Sequence, residues 1–133
     1  MFYEQHKDWI TEQEHTDIIK SVVLADKWSF GQTSDDGRYD LNFPMWTQGF
    51  FKVKDQQFTQ DTPDIIKTIS LRFVAQCPED YVLIRSMACA NTFGLDGDFH
   101  TDWPSPNKSV TGVLYTDRTW ERNWGGDTTF VGE

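Results

Sequence analysis

Apolar residues recur at helical spacing in two stretches of the first half, and the pattern turns extended after about residue 80. Ile18, Ile19, Val22 and Val23 form one stripe whose three-and-four spacing places side chains on a single helix face. Thr11-Glu12-Gln13-Glu14 reads as a capping box ahead of that stripe, so a helix is predicted from there to about Ala25. A second stripe, Ile66, Ile69, Phe73 and Cys77, follows Thr62-Pro63-Asp64. That start puts proline at the first helical position and an acid in the first turn, and Pro78 is expected to end the helix. Between the two, Trp28 and Phe30 read as an extended segment packing on the core. Residues 31–42 read as a loop, because Gly31, Ser34-Asp35-Asp36-Gly37 and Asp40 are turn formers. Asn42-Phe43-Pro44-Met45-Trp46 is apolar but broken by proline, which predicts an irregular segment or an edge strand leading into Phe50-Phe51-Lys52-Val53.

The second half predicts strands. Tyr81 to Ala90 is one, Phe99 to Asp102 is extended, Val110 to Tyr115 alternates, and Thr128 to Val131 starts another. Turns fall at Gly94 and Gly97, at Trp103-Pro104-Ser105-Pro106-Asn107, and at Trp124-Gly125-Gly126. Helices followed by strands predict an α+β fold, with the helices on one side of a mostly antiparallel sheet. The 133 residues suit one domain, with helical support to about residue 80 and core strands from about 81 to 133.

Composition narrows the function classes. Aromatics make up 15% of the chain, including six Trp and ten Phe, so there is material for a core and disorder is not expected. A net charge of −9 with no basic cluster argues against nucleic acid as a partner. Cys77 and Cys89 lack any paired spacing and are expected to be small buried hydrophobes. No apolar run approaches the roughly 20 residues that span a bilayer. Nor does the start resemble a signal peptide, so the expected location is the cytoplasm, without membrane.

All three histidines are followed two residues later by aspartate: His6 and Asp8, His15 and Asp17, His100 and Asp102. On a strand, such a pair projects to one face and both side chains can reach one cation, whereas on a helix they diverge. His15 lies in a helical pattern and serves as an internal control. His100 and Asp102 lie in an extended, aromatic-rich region and supply two of the three donors of a 2-His-1-carboxylate iron site. A tetrahedral zinc site is a poorer match, because no further His or Cys stands nearby in sequence to complete it.

The last third resembles the Fe(II)- and 2-oxoglutarate-dependent dioxygenases, in the prolyl 4-hydroxylase-like branch. The residues that carry the resemblance are Asn91-Thr92-Phe93-Gly94, Gly97-Asp98-Phe99-His100-Thr101-Asp102, Thr111-Gly112-Val113-Leu114-Tyr115, Trp120, and Trp124-Gly125-Gly126-Asp127-Thr128-Thr129-Phe130. They span roughly residues 85–131. The resemblance implies a double-stranded β-helix, or jelly roll, with the N-terminal helices packed on it. It implies His100 and Asp102 as the first two Fe(II) ligands, 2-oxoglutarate as cosubstrate and ascorbate as an auxiliary reductant. It also implies a peptide or small-molecule substrate, with peptidyl proline as the family analogy. Asn91 and Tyr115 are candidate cosubstrate contacts, with a turn-capping asparagine and a core tyrosine as the plainer alternatives. Trp103 and Trp120 are candidates for the substrate mouth, or ordinary loop aromatics. Gly125 and Gly126 are read as structural. Phe93 stands where relatives often carry a tyrosine, and it cannot supply that hydroxyl.

Two family elements have no match in this sequence. No histidine follows His100, and Arg118 and Arg122 come too early to be the basic residue that grips the far carboxylate of 2-oxoglutarate. The last residues, Phe130-Val131-Gly132-Glu133, fall inside a strand-like motif, and the expectation is an inactive piece of a longer dioxygenase domain. The alternatives are a non-catalytic jelly-roll binding module or pseudoenzyme, or a site completed across a dimer.

Overall fold

The computed structural model describes residues 3–33, 44–92 and 109–129. Helix α1 spans Glu12–Ile18 and opens as the sequence predicts. Thr11 accepts from the Glu14 backbone N–H at 3.2 Å, and the Glu14 carboxylate accepts from the Thr11 N–H at 2.8 Å. The helix does not run regularly to Ala25. It widens into a π-helical turn over Ile19–Val23, where the Leu24 N–H donates to the Ile19 carbonyl at 2.9 Å. Side chains satisfy the last carbonyls: Gln48 donates to that of Val22 at 2.9 Å and the Trp28 indole to that of Val23 at 3.3 Å. The widened turn leaves only Ile18 and Val22 of the stripe buried, while Val23 is exposed.

Strand β1 (Ser29–Thr33) pairs antiparallel with β2 (Pro44–Gly49), with a bulge between Phe30 and Gln32. The predicted edge strand is instead the centre of the sheet, since β2 also pairs with a later strand. Pro44 is tolerated because it is the first residue of β2, where a missing N–H costs no internal ladder bond. Strands β3 (Phe51–Lys52) and β4 (Gln57–Phe58) form a short separate hairpin. Helix α2 then spans Asp64–Val74, with Pro63 at the N-cap, one position earlier than predicted. Thr62 is buried and donates to the Phe50 carbonyl at 2.8 Å, fixing the approach to α2 on the hairpin.

Strand β5 covers Met87–Ala90 only. The strand is predicted to begin at Tyr81, but residues 81–86 make no ladder among the described residues, and the Ser86 carbonyl only accepts from the Phe50 N–H at 2.8 Å. β5 pairs antiparallel with β2, giving the order β1-β2-β5. Four of the five strands described therefore precede α2, and the helices do not come first as a block.

The core sits between the helices and this sheet. Ile18, Val22, Phe50 and Ile66 are buried together, with Ile10, Trp28, Ile65, Ile69 and Ala88 packed around them. Neither cysteine joins it: Cys77 is half-buried and Cys89 is exposed. The chain is thus a mixed helix and antiparallel-sheet fold of the α+β kind. Among the described residues no helix is long and apolar enough to cross a membrane.

Candidate functional site

The two proposed iron ligands, His100 and Asp102, lie outside the described residues, as do Phe93, Gly94 and Trp103. What the structure does place is the frame on either side of them. Asn91 follows directly on β5 and is exposed, so its amide is available at the end of the sheet.

The segment from Ser109 onward returns to the helices. Val110 to Tyr115 was expected to be a strand, yet it joins no sheet among the described residues. Its predicted alternation fails too: Val113, Leu114 and Tyr115 are all exposed in succession. Contacts with the helical layer hold it instead. Gly112 lies so close to Phe73 of α2 that an added Cβ would stand 2.7 Å from the ring. The His15 Nε2 bonds the Thr116 carbonyl at 2.7 Å, and Arg118 pairs with Glu12. The Arg118 hydrogen bond holds the Glu12 carboxyl below its usual range.

Tyr115 is exposed, and its hydroxyl donates to the Thr128 hydroxyl. Two motif pieces thirteen residues apart therefore meet. Between them, Asp117 accepts from the Thr119 N–H at 2.7 Å and from its hydroxyl at 2.9 Å, which keeps the Asp117 carboxyl below the ordinary range. A 3-10 turn at Arg122–Trp124 leads into Gly125 (φ 74°, ψ −154°) and Gly126 (φ 75°). Both need the backbone freedom of glycine, as the sequence predicts. Trp120 is fixed from both sides. Its indole N–H donates to the Gly125 carbonyl at 2.8 Å, and its ring meets that of Trp124 edge-on at 5.5 Å. It remains about half exposed, consistent with either a mouth residue or a loop aromatic.

The internal control behaves as the helix argument requires. His15 lies on α1, where its Nε2 is committed to a backbone carbonyl, and a carbonyl can only accept, so that nitrogen carries the hydrogen. His6 is exposed and pairs with Glu4 at 3.1 Å. Among the described residues no group of three or more His, Cys, Asp or Glu is arranged to hold a metal ion. The candidate donors His100 and Asp102, one imidazole and one carboxylate, lie outside those residues, and as residue types they would fit two of the three protein positions of a 2-His-1-carboxylate iron site.

Two features escaped the sequence pattern. One is the link from His15 to Thr116 across 101 residues. The other is a cluster in which Arg72 pairs with Glu14, lies 5.3 Å from the centre of the Trp9 ring and donates to the Trp9 carbonyl at 3.3 Å. Arg72 holds the Glu14 carboxyl down to about 2, helped by the Thr11 N–H. Local periodicity carries no signal for either, because both join elements distant in sequence. No protein-family model matches the chain, and no curated protein and no solved structure matches it.

Proposed function

We propose that this chain belongs to the Fe(II)- and 2-oxoglutarate-dependent oxygenases of the prolyl 4-hydroxylase-like branch and that, with no distal histidine and no basic cosubstrate anchor among its own residues, it turns over little by itself. Its expected architecture is a jelly roll supported by α1 and α2, and its substrate class is peptidyl proline by family analogy. The observation that carries the reading is the ordered set His100-Thr101-Asp102, Leu114-Tyr115 and Trp124-Gly125-Gly126-Asp127-Thr128. Its support from the fold is the meeting of Tyr115 with Thr128 and the glycine-only backbone at Gly125.

In this reading His100 and Asp102 hold the metal. When bound, iron with 2-oxoglutarate and dioxygen supplies hydroxylation of a substrate C–H, releasing succinate and carbon dioxide. The protein's part is placement and exclusion of water. Asn91 offers an amide to the cosubstrate, and Tyr115 lines its pocket. Trp103 and Trp120 flank the substrate mouth. With two donors in place of three, metal affinity is expected to be weak.

Equilibrium titration with Mn(II) as a redox-stable stand-in for Fe(II) tests the reading. Weak binding that disappears in His100→Ala and in Asp102→Ala, and persists in His6→Ala, supports it. Binding indifferent to His100 and Asp102 would sink it. Complete absence of binding would favour a non-catalytic jelly-roll module.

A further inference from the structure

The segment that carries Tyr115 joins no sheet among the described residues, and the contacts described for it are side-chain anchors. Three of these lie on the helical layer: Phe73 against Gly112, His15 on the Thr116 carbonyl, and Glu12 on Arg118. The His15 bond is the nearest to Tyr115, being made to the very next residue. It is also better shielded than its neighbour, since His15 and Thr116 are both half-buried whereas the Glu12 side chain is 85% exposed and that of Arg118 42%. A shielded bond to a backbone carbonyl fixes the peptide itself, while an exposed ion pair contributes little and is screened by salt.

We infer that His15 is a positioning residue: through the Thr116 carbonyl it sets the backbone that aims Tyr115 at Thr128 and at the cosubstrate pocket. The role of the pocket rests on the proposed function above; the geometry of the latch does not. His15 needs only an N–H at the end of a side chain of the right reach, so a glutamine amide can replace it where alanine cannot.

The test uses the whole chain in solution, comparing wild type, His15→Ala and His15→Gln. The first readout is the nuclear Overhauser contact between the Tyr115 ring and the Thr128 methyl group. Loss of one ordinary hydrogen bond shifts a docking equilibrium by roughly fivefold. The contact is therefore expected to weaken in His15→Ala and to return in His15→Gln, with α1 amide signals showing that both variants remain folded. An undiminished contact in His15→Ala, or failure of glutamine to restore it, would overturn the inference. The second readout is the Tyr115 ring signal of wild type on adding 2-oxoglutarate with Mn(II). A shift that His15→Ala reduces supports the positioning role. Its absence in wild type overturns that role and counts against the cosubstrate reading, while the first readout still reports whether the latch exists.

Discussion

Replacing Gly112 with alanine gives a test whose sign decides whether the 109–118 segment lies on α2. The new Cβ would stand 2.7, 2.9 and 3.1 Å from three carbons of the Phe73 ring. Carbon atoms pack comfortably at about 3.5–4.0 Å, so the ring or the segment must move by close to an ångström. Phe73 is half-buried on a helix, where side-chain torsions have few allowed wells, so its ring cannot tilt freely out of the way. Overpacking of this kind costs about 1–3 kcal/mol. Gly112 does not have a left-handed φ, so alanine fits the backbone there. Fewer unfolded conformations then return about 0.4–1 kcal/mol. The net expectation is destabilisation of up to about 2.5 kcal/mol, read from the urea midpoint at unchanged slope. Phe73→Ala should abolish the penalty, so that Gly112→Ala becomes neutral or stabilising in that background. If Gly112→Ala stabilises the otherwise unaltered chain, the segment is not packed on Phe73 and the frame described for Tyr115 is wrong.

Three further outcomes follow from the same contacts. The Glu14 carboxyl, held by Arg72, is lowered from 4.5 to about 2, so its contribution is complete above pH 4.5 and fades as pH falls towards 2. Urea melts of wild type and Glu14→Gln should differ at pH 6 and converge by about pH 2; a difference independent of pH would contradict the Arg72 pairing. Gly125→Ala forces a side chain onto a φ of 74° with ψ of −154°, at a cost of about 1–3 kcal/mol, and should shift the Trp120 indole N–H resonance. A Trp120 signal that stays put would refute its bond to the Gly125 carbonyl. Ile66→Ala empties a buried site at the centre of the core and should cost about 2–5 kcal/mol in thermal or urea melts, whereas a loss below about 1 would place Ile66 outside the core.

Local chemistry was legible in the sequence and long-range pairing was not. The capping box at Thr11 and Glu14, the α2 stripe around Ile66 and the paired glycines all obey short-range rules, and each is formed. The central place of β2 depends on a partner, β5, about forty residues later, and Pro44 pointed the other way. The apolar alternation at Val110 to Tyr115 predicts a strand, but a strand also needs a neighbour to hydrogen-bond, and the described residues give it none. The segment meets helix side chains instead, at Phe73 and His15. Cys77 and Cys89 were expected to be buried from residue type alone, and neither is, since each lies beyond the central packing of Ile18, Val22, Phe50 and Ile66. At the candidate site, Asn91, Tyr115 and Trp120 are placed, whereas His100, Asp102 and Trp103 fall outside the described residues.

The most direct measurement is pulsed electron paramagnetic resonance on Mn(II) added to the chain, which reports the ligand nitrogens bound to the metal. Of the three histidines, His15 is committed to Thr116 and His6 lies at an exposed pair with Glu4, so one coupled imidazole nitrogen is expected, lost in His100→Ala. Absence of any coupled histidine, or coupling that survives His100→Ala, would contradict the assignment of His100 and Asp102 as the metal ligands of an oxygenase.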